Sequence, residues 1–413
     1  MNSTKQINTA VIGLGSRGLG KTGGGNISTI LSIPNVRIAA VCDIYEDRRD
    51  KAAKIISEKS FDTPDKEADY KKLLARSDID AVMVFSGWES HVDIAVDAMK
   101  AGKCVAIEVG GAYSVDDCFR LVSTYEQTKT PFMFLENCCY GKNEMLIRNI
   151  VRDGLFGEIV HCHGAYAHDI REEIAFGKEN RHYRLNNYLN RNCENYPTHE
   201  LGPIAKLLNI NRGNRMVRLV SVASKAAGLK QYISDRAGTF ENKALIGADF
   251  KQGDIVNTLI TCANGETISL RLDTTLPRSY SREFTVRGTK GMYEENTNSI
   301  FLDGDEEAFE TVEHYRKVMD NAKNYEEKYL PRCWRNITPE EIEMGHGGMD
   351  YFVFSAFFDA VRNGTTMPID VYDAAAWMCI TPLSEQSIAN GGTSVEIPDF
   401  TNGAWKTREN FDL

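Results

Sequence analysis

Tyr196-Pro197-Thr198-His199 sets a phenol and an imidazole three residues apart, just ahead of an apolar segment. Histidine titrates near neutrality and suits proton transfer; tyrosine can join it if its pKa is drawn down from near 10. Most such pairs are packing or capping residues, so context decides. That context begins far upstream, where Gly13-Leu14-Gly15-Ser16-Arg17-Gly18 reads G-x-G-x-x-G directly after the apolar run 7–12. In this dinucleotide fingerprint the first glycine allows a tight turn, the second lets backbone approach a pyrophosphate, and the third lets helix pack on strand. A helix opening there would turn unpaired amides and the positive end of its dipole toward the phosphates.

The elements around the fingerprint repeat a strand–loop–helix rhythm. The run 36–42 ends in Asp43, a carboxylate placed to accept hydrogen bonds from the ribose hydroxyls of NAD and to repel the extra phosphate of NADP. Arg48 and Arg49 would soften that repulsion. Residues 79–85 form a buried strand, followed by Gly87-Trp88-Glu89-Ser90-His91 and a helix to Ala101. Further strands end at Glu108 and at Glu136-Asn137. The pattern predicts a doubly wound parallel Rossmann sheet over residues 1–150. Ligands bind beyond the carboxyl ends of such strands, which puts Trp88, His91, Glu108, Glu136 and Asn137 on the cofactor side. The plain alternative for Trp88 and His91 is helix capping and packing.

From about Glu158 the pattern alternates like an open sheet. Segments 159–166, 215–224, 254–263, 266–275 and 282–288 read as strands, with Asn264-Gly265 as a hairpin turn. An α+β domain over 151–413, built on an open, mostly antiparallel sheet, is expected. The stretch 171–195 is polar, lacks apolar periodicity and reads as a long functional loop. Thr338-Pro339-Glu340-Glu341 is a capping box. Helices are expected at 346–363 and 370–391, the second packing back on the first domain.

Composition narrows the function classes. The 413 residues exceed one core, and 42% hydrophobic with 26% charged residues is ordinary for a globular protein. A net charge of -10 without basic runs argues against nucleic acid, and no apolar stretch approaches the roughly 20 residues of a membrane span. Met1–Asn8 lacks the apolar core of a signal peptide, so the chain as written is expected in the cytoplasm, or exported if a leader has been removed. Several of the ten cysteines sit in apolar runs, and Cys138-Cys139 are adjacent, unlike a zinc knuckle. His161-Cys162-His163 shares a strand face without a third ligand at a matching spacing, so no metal is expected. A homodimer is the default for an open sheet.

Together these residues resemble the Gfo/Idh/MocA oxidoreductase superfamily and, within it, the NAD-dependent α-N-acetylgalactosaminidases of glycoside hydrolase family 109. The likeness covers nearly the whole chain. It is carried by Gly15-Ser16-Arg17-Gly18, Trp88-Glu89-Ser90-His91, Glu108-Val109-Gly110-Gly111-Ala112, Glu136-Asn137-Cys138-Cys139-Tyr140, Tyr196-Pro197-Thr198-His199, Leu201-Gly202-Pro203 and Gly345-His346-Gly347-Gly348-Met349-Asp350. Dehydrogenases of the superfamily usually carry Glu-Lys-Pro where this chain has Glu108-Val109-Gly110, and the missing lysine favours the glycosidase group.

The resemblance implies a redox-neutral hydrolysis, an exception to the two-carboxylate scheme. NAD+ takes hydride from C3 of the sugar, the ketone acidifies the C2 proton, the C1 substituent is eliminated, water adds, and the hydride returns. It assigns His199 to the C3 hydroxyl, with Tyr196 and Tyr166 as candidates for the C2 proton or the departing oxygen. Arg184, Tyr280, Pro197 and Thr198 join those three at the substrate. Gly13, Gly15, Ser16, Arg17, Gly18, Asp43, Trp88, Glu89, Ser90, His91, Glu108, Val109 and Asn137 match cofactor positions. The family commonly has glycine after the histidine, whereas this chain has Glu200. That acid could raise the pKa of His199, contact a sugar hydroxyl, or point to solvent. An NAD-dependent sugar or polyol dehydrogenase is the alternative reading, and a sensor without turnover a third.

Overall fold

The computed structural model describes residues 6–20, 24–241, 243–304 and 312–410. The segment Met1–Lys5 of the expected leaderless N-terminus lies outside them. Close contacts divide the chain into two units: Met1–Asn137 with Ile337–Ala375 and Phe411–Leu413, and Cys138–Asn336 with Ala376–Asn410. The boundary expected at residue 150 falls within the helix Lys142–Arg152, inside the second unit.

In the first unit, strands β1 (Ile7–Ile12), β2 (Val36–Cys42), β3 (Asp65–Glu67), β4 (Ala81–Val84), β5 (Cys104–Ile107) and β6 (Phe132–Phe134) form one parallel sheet, ordered β3-β2-β1-β4-β5-β6. That is the Rossmann order, with its crevice where β1 and β4 diverge. Every residue of β4 and β6 is buried, as expected of strands covered on both faces. Charged, three-residue β3 has no such signature and escapes sequence reading. The helix Trp88–Lys100 buries Trp88, His91, Val92, Ala95 and Met99 at helical spacing. Ser114 caps the helix Val115–Thr128 by accepting the amide of Asp117 at 3.1 Å. From the later part of the chain, the helix Met349–Asn363 buries Val353, Phe354, Phe357 and Phe358, packs on the helix Gly25–Ser32, and sets Phe354 5.9 Å from the ring of Phe85.

In the second unit, β7 (Ile159–Ala167), β8 (Met216–Ala223), β9 (Ile255–Cys262), β10 (Thr267–Asp273), β11 (Thr285–Gly288), β12 (Gly291–Glu294), β13 (Ser299–Leu302) and β14 (Val395–Glu396) form an open sheet ordered β13-β12-β11-β7-β10-β9-β8-β14. All pairs are antiparallel except β7 with β10. Gly265 makes the left-handed turn between β9 and β10. The helix Thr198–Leu207 packs on β7. Gly164 permits the approach, since a Cβ there would lie 2.8 Å from Cβ of Glu200.

Two expectations are corrected. The stretch 171–195 is no loop: it carries helices Arg171–Ala175 and Arg184–Asn190 and buries Ile174, Leu185 and Tyr188. Both are too short for a periodicity to show, and Arg184 and Asn187 on the buried face disguise it. The stretch 370–391 does not serve the first unit as a whole. Its helix Ile380–Ala389 packs on β8, where the hydroxyl of Ser387 accepts the amide of Ser221 at 2.9 Å. The helix Met349–Asn363 packs within the first unit instead. The capping box is present, Thr338 and Glu341 each accepting the other's amide.

Candidate active site

Gly13 leaves β1 with φ +92, and a Cβ on it would lie 2.3 Å from the amide nitrogen of Ser86. Only glycine fits. A Cβ on Gly15, by contrast, would meet nothing nearer than the tip of Arg48 at 3.6 Å, so its backbone stays open to a ligand. Gly18 packs against the carbonyl of Gly13, where a Cβ would approach to 2.6 Å. The three glycines thus divide the work as the fingerprint requires. The helix that opens there, Ser16–Leu19, is a single turn that stops at Gly20.

Asp43 follows β2 directly. Its carboxylate accepts the amides of Leu14 at 2.7 Å and Tyr45 at 2.9 Å, which anchors the acid to the fingerprint itself. Arg48 approaches it to 3.8 Å, and Arg49 donates to its carbonyl at 2.6 Å. Trp88 Nε1 donates to the carbonyl of Val109 at 3.0 Å, and Ser90 Oγ to that of Gly87 at 2.9 Å. Glu89 is exposed. His91 is buried with Nε2 3.0 Å from the Ser86 carbonyl, and burial pulls its imidazole down to about 4. It braces the loop after β4 as a neutral ring.

At the ends of β5 and β6 the polar groups converge on one guanidinium. Glu108 accepts Arg17 Nε at 2.9 Å and its neighbour Val109's amide at 3.0 Å. Arg17 extends Nη1 and Nη2 to the two oxygens of Asp350, each at 3.3 Å. Asn137 Nδ2 donates to Asp350 at 2.6 Å, and His346 Nδ1 lies 2.9 Å from it. Burial opposes the charge of Asp350, but Arg17 and His346 hold its carboxyl well below the usual range. Open backbone at Gly15, an acid after β2, and Glu108 with Asn137 beyond β5 and β6 form a set that fits a dinucleotide.

The second unit gathers the aromatic residues. Tyr166, from β7, packs its ring 4.5 Å from Tyr196 and 5.6 Å from His199. The hydroxyl of Tyr196 is 3.3 Å from His199 Nε2, and that of Tyr166 is 3.3 Å from His168 Nδ1. Arg184 lies 4.9 Å from the ring centroid of Tyr196 and 6.0 Å from that of Tyr166, with Nε on Glu173 at 2.9 Å. Burial raises the pKa of Tyr166 more than Arg184 lowers it, so this phenol keeps its proton. His168 is pulled down by burial and by Arg184, and half-exposed Tyr280 stacks edge-on to it at 5.1 Å. Pro197 stands at the N-terminus of the helix Thr198–Leu207, and Thr198 is buried in its first turn. Pro203 has no N–H to offer the carbonyl of His199 four residues back. Glu200 is 2% exposed and faces β7, so it does not point to solvent.

Tyr166, Arg184, Tyr196, His199 and Tyr280 therefore come together from four separate segments, while the cofactor positions assemble in the first unit. Asp350 and His168 were not singled out as site residues. The glycine-rich run before Asp350 was the available signal; His168 had none beyond its place two residues after Tyr166.

Two family models match: glycosyl hydrolase 109, C-terminal domain, over residues 140–407, and oxidoreductase family, NAD-binding Rossmann fold, over residues 7–135. The chain is 37% identical to an alpha-N-acetylgalactosaminidase of Tannerella forsythia over 409 residues, covering 93% of this chain and 85% of that protein. It is 38% identical to one from Bacteroides fragilis, covering 97% and 93%. Among solved structures, a levoglucosan dehydrogenase in complex with NADH and levoglucosan aligns with TM-score 0.68 at 15% identity, covering 95% of this chain and all of that one. The scyllo-inositol dehydrogenase of Lactobacillus casei aligns with TM-score 0.64 at 14% identity, covering 95% and 99%. At that identity these two speak for the fold alone.

Proposed function

The chain belongs to glycosyl hydrolase family 109, and from that premise we propose that it cleaves α-N-acetylgalactosaminides with an NAD that is recycled rather than consumed. It is a glycoside hydrolase built on an NAD-binding Rossmann fold. The observation that carries the proposal is the cluster of Tyr166, Tyr196 and His199 beside Arg184, a set of groups able to handle protons.

When bound, the nicotinamide supplies a reversible hydride acceptor for C3 of the sugar. Asp43 would receive the ribose hydroxyls and disfavour a 2′-phosphate, favouring NAD over NADP. His199 takes the proton of the C3 hydroxyl and later returns it. Oxidation at C3 acidifies the proton on C2, and Tyr196 removes it. Arg184 places a cation beside the rings of both Tyr196 and Tyr166. Tyr166, which keeps its proton, hands it to the oxygen leaving C1. Water then adds at C1, and the proton transfers run in reverse.

The dehydrogenase alternative fits less well. Val109, in the place of the superfamily's lysine, is 1% exposed and has no proton to exchange. The test is p-nitrophenyl α-N-acetylgalactosaminide with protein stripped of nucleotide. Release of p-nitrophenolate should depend on NAD+ and proceed without net absorbance at the NADH band. Steady accumulation of NADH with free sugars, and no aryl glycoside cleavage, would favour the dehydrogenase.

A further inference from the structure

Gly345, His346, Gly347 and Gly348 have φ of 82, 45, 67 and 97, four successive residues in the left-handed region. Such a run is costly, most of all at His346, which carries a Cβ. Its glycines are required by space as well, since a Cβ on Gly345 would lie 2.5 Å from Oδ2 of Asp350. The turn delivers one side chain to the interior: Asp350, 1% exposed, in the first turn of the helix Met349–Asn363.

There Asp350 joins residues far apart in the chain. One oxygen accepts Asn137 Nδ2 at 2.6 Å and Arg17 Nη2 at 3.3 Å; the other accepts Arg17 Nη1 at 3.3 Å and faces His346 Nδ1 at 2.9 Å. Arg17 in turn holds Glu108 through Nε. A guanidinium is the group suited to bridge two carboxylates in fixed geometry. With both carboxylates engaged on it, Arg17 acts here as a clamp.

The clamp spans three parts of the cradle: the fingerprint turn, the end of β5 and the end of β6. A Rossmann fold binds a dinucleotide as two mononucleotide halves, and the acid after β2 belongs to the adenosine side. Glu108 and Asn137 follow strands of the other half. We infer that Asp350 is a positioning residue that, through Arg17, sets Glu108 and Asn137 for the nicotinamide mononucleotide half of the cofactor. The inference rests on the NAD reading proposed above, but no step of glycoside cleavage enters its test.

The test compares two ligands on the intact, nucleotide-free protein by calorimetry: NAD+, which occupies both halves, and ADP, which occupies the adenosine half. Asp350→Asn keeps the shape and removes the charge. It should weaken NAD+ by about tenfold or more and leave ADP within about twofold, the scale of a lost charge-assisted contact. Arg17→Lys breaks the same clamp from a partly exposed side chain, keeps the positive charge, and should weaken NAD+ more than ADP should the buried variant fail to fold. Unchanged NAD+ affinity in a folded variant, or equal weakening of NAD+ and ADP, overturns the inference. Wild-type protein that binds ADP and not NAD+ contradicts the cofactor reading itself, a distinct result.

Discussion

The hydroxyl of Tyr196 stands 3.3 Å from Nε2 of His199, so the phenol and the imidazole of the motif share one hydrogen bond. Tyr166 packs its ring tilted against Tyr196 and edge-on to His199, which makes the three residues one unit. Removing either end of the bond should cost more than a packing contact. His199→Ala is expected to lower kcat/KM on an aryl α-N-acetylgalactosaminide about 10³-fold and Tyr196→Phe about 10²-fold, the range for general acid–base groups. NAD+ affinity, measured by calorimetry, should change little in either variant.

Tyr166 keeps its proton because burial outweighs Arg184. A group that protonates a departing oxygen matters most when that oxygen leaves poorly. Tyr166→Phe should therefore slow methyl α-N-acetylgalactosaminide about 10²-fold and the p-nitrophenyl glycoside far less. Equal losses on the two substrates, compared as kcat/KM, would assign Tyr166 to packing.

On the proposed reading, Asp43 sets the choice of nucleotide. Asp43→Asn keeps a hydrogen-bonding side chain beside Leu14 and removes the charge that repels a 2′-phosphate, with Arg48 and Arg49 already nearby. The ratio of NADP+ to NAD+ dissociation constants should fall about tenfold or more. An unchanged ratio would place the selectivity elsewhere.

Glu194 is wholly buried two residues before Tyr196, and burial pushes its carboxyl from the ordinary 4.5 up to about 8. Between those values the folded chain holds a proton that the unfolded chain has lost, so stability falls as pH rises through the window. Glu194→Gln should flatten the dependence of Tm on pH between about 5 and 8 and raise Tm relative to wild type most at the upper end. Parallel Tm curves for the two proteins would show that Glu194 is ionised when folded.

What the sequence disclosed followed from how local each signal was. The fingerprint, the apolar strands of the first sheet and the Asn264-Gly265 hairpin each lie within a few residues, and each is found where it was read. The helix at 184–190 was hidden because Arg184 and Asn187 are buried, against the usual sense of polarity, and that at 171–175 because five residues show no periodicity. The pairing of Asp350 with Arg17 joins residues more than 300 positions apart, and no spacing rule reaches that far. The grouping of Tyr166 with Tyr196 and His199 came from resemblance, since β7 and the helix Thr198–Leu207 meet only in the folded unit.

The most direct measurement of the central claim is hydrogen exchange at C2 of the sugar. An aryl α-N-acetylgalactosaminide deuterated at C2 is turned over in ordinary water with a trace of NAD+, and the released sugar is examined by mass spectrometry. Oxidation at C3 followed by elimination predicts loss of the C2 deuterium to solvent in the product, with no net NADH. Full retention of deuterium during NAD+-dependent cleavage would contradict it.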